Sequence, residues 1–291
     1  MRIFDPHIHM TSRTTDDYER MRAAGVRAVV EPAFWLGQPR TNVGSFLDYF
    51  DGLLGWEPYR AAQYGIRHHC ALALNPKEAN DPRCTDVLAE LPNYLLKDSV
   101  VAVGEIGYDS MTPAEEHAFE AQLAMAADSD LPVLVHTPHR DKVAGTRRTL
   151  DVVRASGTAP GRVLVDHLNE PTVGLVAESG CWMGFSIYPD TKMDPHRMVA
   201  ILREYGTARM LVNSAADWGR SDPLKTREVA DAMLAAGFTA DDVDQVLWRN
   251  PVAFYRQSGR LDIGTASGEP AHIPDARSAE PDFAGNTIRR G

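Results

Sequence analysis

His7 and His9 sit two residues apart in Asp5-Pro6-His7-Ile8-His9, at the end of a short apolar run. Alternate residues of a strand face one side, so the two imidazoles are expected to enter one space, as two ligands of one metal ion must. A His-x-His pair is weak evidence alone. The same event recurs, however. Glu105 closes Val100-Val101-Ala102-Val103-Gly104, His136 closes Leu131–Val135, and His167 closes Val163–Asp166. Asp217 follows Met210–Asn213. Four imidazoles and two carboxylates, each at the end of an apolar run, suit Zn or Mn, with oxygen-preferring Mg a lesser candidate. Six such groups buried together would be costly without an ion. Asp166, beside His167, is expected on the opposite face of its strand and is not counted as a ligand.

The elements that must position these residues read as strand and helix in alternation. Short β-branched runs occur at Arg2–Ile8, Arg27–Glu31, Ile66–Leu74, Val100–Glu105, Pro132–His136, Arg162–His167, Cys181–Ile187 and Ala208–Asn213. Several are continuously apolar, as strands buried on both faces of a parallel sheet are. Helical patterns lie between them, among them Thr15–Ala24, Thr112–Asp128 and Asp222–Ala236. The stretch Val43–Tyr64 is helical in pattern, with a break or bend expected at Gly55 and Pro58. Eight strand–helix units without an internal repeat predict a single-domain (β/α)8 TIM-type barrel. The 291-residue length fits one such domain. Strand C-termini share one mouth in that fold, so the candidate ligands would converge there. Residues 1–258 are assigned to the barrel, with Ala240–Ser258 as a final helical segment. The low-complexity stretch 259–291 is assigned as an extended or disordered tail.

Composition narrows the function classes. The formal net charge of −10 argues against a broad nucleic-acid surface. Three cysteines without CxxC spacing, Cys70, Cys84 and Cys181, give no disulfide framework. No apolar run approaches the roughly 18 residues of a membrane span, and the first residues carry no apolar signal region, so a cytoplasmic location is expected. Aromatic residues after the strands, Phe34, Trp35, Tyr108, Tyr188 and Trp218, could line a pocket for a small organic substrate. His139, Arg140 and Lys142, just beyond His136, could receive an anionic group, Arg140 foremost. His68 and His69, inside the third strand, are read as structural.

The chain resembles the TatD-like hydrolases of the amidohydrolase superfamily, as a divergent branch. The resemblance is carried by Asp5-Pro6-His7-Ile8-His9, Gly104-Glu105-Ile106-Gly107-Tyr108-Asp109, Glu116–Leu123, Leu131-Pro132-Val133-Leu134-Val135-His136 and Asn250-Pro251-Val252-Ala253-Phe254, over roughly residues 1–258. It implies a binuclear centre. His7 and His9 would hold one metal, His136 and His167 mainly the second, and Glu105 would bridge them. Asp217 would bind a metal and take the proton of the attacking water, with Asp222 as a fallback. Three segments depart from the family's pattern, one of them Leu168-Asn169-Glu170 after His167, where the family has a Ser-Gly loop. Ala73-Leu74-Asn75-Pro76 stands where the family has Gly-x-His-Pro, which leaves Asn75 as a substrate contact. Asn213-Ser214-Ala215-Ala216-Asp217 stands where it has Glu-Thr-Asp. The expected activity is hydrolysis of an ester, amide or phosphoester of a small metabolite, ester bonds foremost. The alternatives are a TatD-type deoxyribonuclease and a mononuclear, non-hydrolytic superfamily enzyme such as a decarboxylase or isomerase.

Overall fold

The computed structural model describes residues 1–264. Eight strands form one parallel sheet in sequence order: β1 (Ile3–Asp5), β2 (Val26–Pro32), β3 (Arg67–Leu72), β4 (Val100–Gly107), β5 (Val133–His136), β6 (Val163–Val165), β7 (Trp182–Ser186) and β8 (Met210–Asn213). Between them run α1 (Thr15–Ala24), α2 (Val43–Asp51), α3 (Glu57–Gln63), α4 (Val87–Tyr94), α5 (Pro113–Asp128), α6 (Lys142–Ser156), α7 (Glu170–Ser179), α8 (Pro195–Tyr205) and α9 (Lys225–Ala235). This is the TIM-type barrel expected from the alternation. The seam between β8 and β1 is tied just beyond the strands, where Ala215 N–H donates to His7 O (2.9 Å) and His9 N–H to Ala216 O (2.8 Å).

Two apolar layers hold the barrel together. Ile3, Val29, Val103, Val135, Val165 and Phe185 face the helices. Phe4, Ala28, Ala71, Ala102, Leu134 and Leu211 fill the interior. Each fully buried large side chain contributes about 1.5–3 kcal/mol relative to exposure. The floor is closed by the last helices, α10 (Ala240–Asp244) and α11 (Asn250–Tyr255), joined by a widened π turn over Gln245–Arg249. Trp248, Phe254 and Tyr255 join the interior cluster, and Tyr255 stacks on Phe4 with ring centroids 5.9 Å apart. Tyr255 OH reaches upward to donate to Pro6 O at 2.7 Å. No helix among the described residues is long and apolar enough to cross a membrane.

Two expectations change. The break at Gly55 or Pro58 does not occur. A π turn at Gly52–Trp56 carries α2 into α3, and Pro58 falls within the first turn of α3, where a missing N–H is tolerated. The tail does not start free at 259. Arg260 donates to the backbone carbonyls of Lys97 and Val100, His69 Nε2 lies 2.8 Å from Asp262 O, and Leu261 and Ile263 pack on the interior cluster. Two apolar residues spaced by one suffice to seat this segment, a signal that the surrounding polar composition conceals. The rest of the proposed tail, 265–291, lies outside the described residues. His68 pairs with Glu31 at 2.8 Å on the helix-facing side of the sheet, so neither His68 nor His69 reaches the mouth.

Candidate metal centre

β1 ends at Asp5, and the chain beyond it is held by the Asp5 carboxylate, which accepts from His7 N–H (3.2 Å) and Ser214 N–H (3.3 Å). Burial pushes Asp5 up to about 7, against the pull of these hydrogen bonds. His7 and His9 thus lie past the formal strand and still converge, with their Nε2 atoms 3.1 Å apart. Glu105 occupies a register shift in the β4–β5 pairing between Gly104 and Ile106. A bulge of this kind turns a side chain out of the regular alternation. Gly104 lets β4 press on β5 there, since a Cβ would stand 2.6 Å from Leu134 Cβ. His136 is the last residue of β5.

β6 stops at Val165, and His167 adopts a left-handed backbone with φ of 62°. Strand alternation therefore fails at Asp166 and His167. Asp166 and His167 both face the site, which corrects the placement of Asp166 on the opposite face. Asp166 Oδ2 lies 2.6 Å from His7 Nδ1, and Oδ1 accepts from His167 N–H at 2.7 Å. Asn213 Nδ2 donates to both oxygens at 3.0 Å. Gly184 on β7 leaves the room, because a Cβ there would stand 2.4 Å from Asp166 Oδ1.

Glu105 Oε1 is the hub. It lies 3.1 Å from His136 Nδ1, 3.1 Å from His167 Nε2 and 3.6 Å from His7 Nε2. Among the described residues three groups have geometry that could hold an ion: His7, His9 and Glu105; Glu105, His136 and His167; and His7, Asp166 and His167. Two atoms about 2.1 Å from one tetrahedral ion stand roughly 3.4 Å apart, so these separations suit coordination. His9 Nδ1 and His136 Nε2 are buried without a hydrogen-bond partner. These are the far nitrogens of their rings; the ones turned to the other candidate ligands are His9 Nε2, toward His7, and His136 Nδ1, toward Glu105. Burial, then the charge of His7, holds His9 well below the ordinary histidine range, and burial with Lys192 does the same to His167, so both offer lone pairs. Burial opposes ionisation of Glu105, yet His7, His136 and His167 hold its carboxyl well below the usual range. Asp166 is likewise lowered, despite burial, by His167 and His7. With Asp166 on Nδ1, the Nε2 lone pair of His7 faces Glu105 and His9. Ser186 Oγ, 2.6 Å from His167 Nδ1, orients that ring in the same way.

Asp217 does not join these groups. Its Oδ1 accepts from Tyr188 OH (2.9 Å) and Gly219 N–H (2.7 Å), and Arg13 holds its carbonyl. Two extra residues after Asn213, with a left-handed turn at Ala215, carry it to the rim. Asp222 lies further out, its Oδ1 accepting from Leu224 N–H. Asn75 Nδ2 stands 3.3 Å from Glu105 Oε2, so it supports the hub. Tyr108 leaves the substrate-contact set. It is fully buried against Phe119 in the helix layer and donates to Glu116 at 2.7 Å. Trp35 and Trp218 stand at the mouth with rings 5.7 Å apart. Arg140 is exposed and makes no hydrogen bond or ion pair among the described residues. Desolvation, then Lys192 and Lys142, pushes His139 down to about 4.

Lys192, on the loop after β7, escaped the sequence reading. Its Nζ lies 3.2 Å from His167 Nδ1, and burial lowers its pKa against the pull of Glu105 and Asp166. Lys142 donates to Thr137 Oγ1 (3.1 Å) and Pro138 O (3.3 Å), and burial with Lys192 nearby brings it down to about 7. A polar residue just after a strand was the available signal for Lys192, although Asp190 and Asp194 share that signal.

The sequence model described as TatD related DNase matches residues 4–256. An uncharacterized metal-dependent hydrolase of Methanocaldococcus jannaschii is 24% identical over 258 residues, covering 87% of this chain and all of that protein. The 3'-5' ssDNA/RNA exonuclease TatD of Pantoea vagans is 40% identical over 57 residues, 18% of this chain and 22% of that one. Among solved structures, a TatD-like protein from Archaeoglobus fulgidus superposes with a TM-score of 0.73 at 24% identity, covering 87% of this chain and 99% of that chain. A phosphotriesterase homology protein from Escherichia coli, complexed with phosphate in its active site, gives 0.64 at 17% identity, with 87% and 98% covered. At these identities the structural likenesses speak for the fold.

Proposed function

This chain belongs to the TatD-related DNase family and is a metal-dependent hydrolase, and from that premise we propose that it works with two divalent ions, Zn or Mn, on an ester, amide or phosphoester of a small molecule. The observation that carries the reading is Glu105 Oε1 at 3.1 Å from both His136 and His167 and 3.6 Å from His7. One carboxylate among imidazoles from opposite sides suits a bridge. His7 and His9 would hold one ion, and His136 and His167 the other. When bound, the pair supplies a water of lowered pKa and a Lewis-acid contact to the scissile group.

The remaining tasks fall to the chain. Asp166 and Ser186 hold His7 and His167 in register, and Asn75 steadies Glu105. Lys192, beside His167, sits where negative charge on a substrate would gather. Asp217 is the carboxylate that would take the proton of the attacking water, and Glu105 would act through the ions it holds. Asp217 keeps this role and not that of a ligand, because Tyr188 and Gly219 hold it at the rim.

Elemental analysis of chelator-free protein tests the centre. About two ions per chain, lost in a folded His7→Ala/Glu105→Ala variant, supports the reading; about one ion turns it toward mononuclear chemistry. A deoxyribonuclease is the second reading, favoured by the partial likeness to the Pantoea exonuclease and opposed by the net charge of −10. Turnover of single-stranded oligonucleotides well above that of small aryl esters and phosphoesters would decide for it.

A further inference from the structure

The mouth is chemically two-sided. On the side of the β2 and β8 loops an aromatic wall climbs from the candidate ligands to solvent. The His9 ring stacks on Phe34 at 3.9 Å and 20°, Phe34 meets Trp35 at 6.2 Å, and Trp35 meets Trp218 edge-to-face at 5.7 Å and 78°. Trp218 remains 54% exposed although it belongs to this wall. Two indoles at right angles make a corner that a flat ring can fill; Lys77 Nζ stands 5.1 Å from the Trp35 ring centroid, and Gly37 borders the Trp218 ring.

On the side of the β5 and β7 loops stand Lys142 and Lys192. Lys77 is paired with Asp109 and Lys225 with Glu228, but Lys142 and Lys192 make no ion pair among the described residues. The contact of Lys192 with His167 Nδ1 gives it no negative partner, because Ser186 Oγ already lies 2.6 Å from that nitrogen. Lys142 reaches only a hydroxyl and backbone carbonyls. Two half-buried lysines with no carboxylate in salt-bridge contact are unfavourable as ammonium groups unless an anion arrives to share them.

We propose that the substrate is a small amphipathic anion. A compact phosphate or carboxylate is held by Lys192 and Lys142 beside the centre, joined to a flat aromatic or equally rigid apolar group that lies against Trp35 and Trp218. The inference rests on the hydrolase reading for the chemistry, but its two binding surfaces belong to the chain itself.

Calorimetric binding of simple probes to the full chain, with and without added Zn, tests it. 1-Naphthyl phosphate and 1-naphthoate separate the two anions; ethyl phosphate lacks the ring and 1-naphthalenemethanol lacks the charge. At least one naphthyl anion is expected to bind about tenfold tighter than both ethyl phosphate and the neutral alcohol. Trp218→Ala should erase the advantage over ethyl phosphate, and Lys142→Met or Lys192→Met the advantage over the alcohol. Ethyl phosphate binding as tightly as naphthyl phosphate, or Trp218→Ala and the lysine variants changing nothing, overturns the proposal. So does an oligonucleotide outcompeting the naphthyl anions by more than about tenfold. Metal bound at full occupancy with no preference among probes sinks this inference alone; probe preference retained in a protein that takes up no metal sinks the hydrolase reading alone.

Discussion

Asp166→Asn isolates the support of the metal centre from its ligands. In the native site one carboxylate serves four donor contacts: His7 Nδ1 at 2.6 Å, His167 N–H at 2.7 Å and Asn213 Nδ2 at 3.0 Å from each oxygen. An amide of the same shape has one acceptor oxygen, and its NH2 must point at a donor. If the oxygen keeps His167, the NH2 faces His7 and forces its proton onto Nε2, the nitrogen turned toward Glu105. Loss of such an outer partner typically costs 10–100-fold in metal affinity, or about 1.4–2.8 kcal/mol. Calorimetric titration of the metal-free protein with Zn reads the affinity, and a thermal melt confirms that the variant folds. A folded Asp166→Asn protein that binds Zn within about threefold of wild type would refute the claim that Asp166 sets the His7 tautomer.

Further perturbations probe the same frame. Gly184→Ala places a methyl 2.4 Å from Asp166 Oδ1, so it should lower Zn affinity about as much as Asp166→Asn and cost about 1–3 kcal/mol in urea denaturation; the double variant should be less than additive. Tyr255→Phe removes the 2.7 Å bond to Pro6 O and should cost about 1–3 kcal/mol in the same assay, because the buried carbonyl is left without that donor. Lys142 falls from 10.5 to about 7 on folding. The unfolded chain therefore binds more protons between those values, stability rises with pH across that window, and the whole penalty is present below about 7. Lys142→Met should flatten that slope, by at most about 1.4 kcal/mol per pH unit, and gain most below pH 7; denaturation curves at several pH values check the sign.

The barrel was legible because its strands carry a continuous apolar signal, and each of His7, His9, Glu105, His136 and His167 sits at or near such a signal's end. What escaped lies where the backbone leaves the repeating pattern. Asp166 faces the site because His167 takes a left-handed conformation, and no periodicity encodes that turn. Asp217 reached the rim because two additional residues follow Asn213, and spacing alone did not reveal the direction of the loop. Tyr108 was read as a pocket residue from its place after Gly107, whereas Phe119 and Glu116 hold it among the helices. Gly55 and Pro58 signal a break or bend, and the π turn at Gly52–Trp56 is what the helix makes of that signal without breaking.

The Tyr255–Pro6 bond also bears on the order in which the molecule comes into being. Pro6 lies between the Asp5 clamp and His7, and its brace comes from Tyr255 on α11, 249 positions further along the chain. The seam at His7 and His9 likewise waits for Ala215 and Ala216. Synthesis therefore exposes two metal-seeking imidazoles long before the partners that fix them exist. The finished geometry depends on segments more than 200 positions apart meeting, so a nascent chain that lacks the later ones holds the ligands without the frame that gives them their shape.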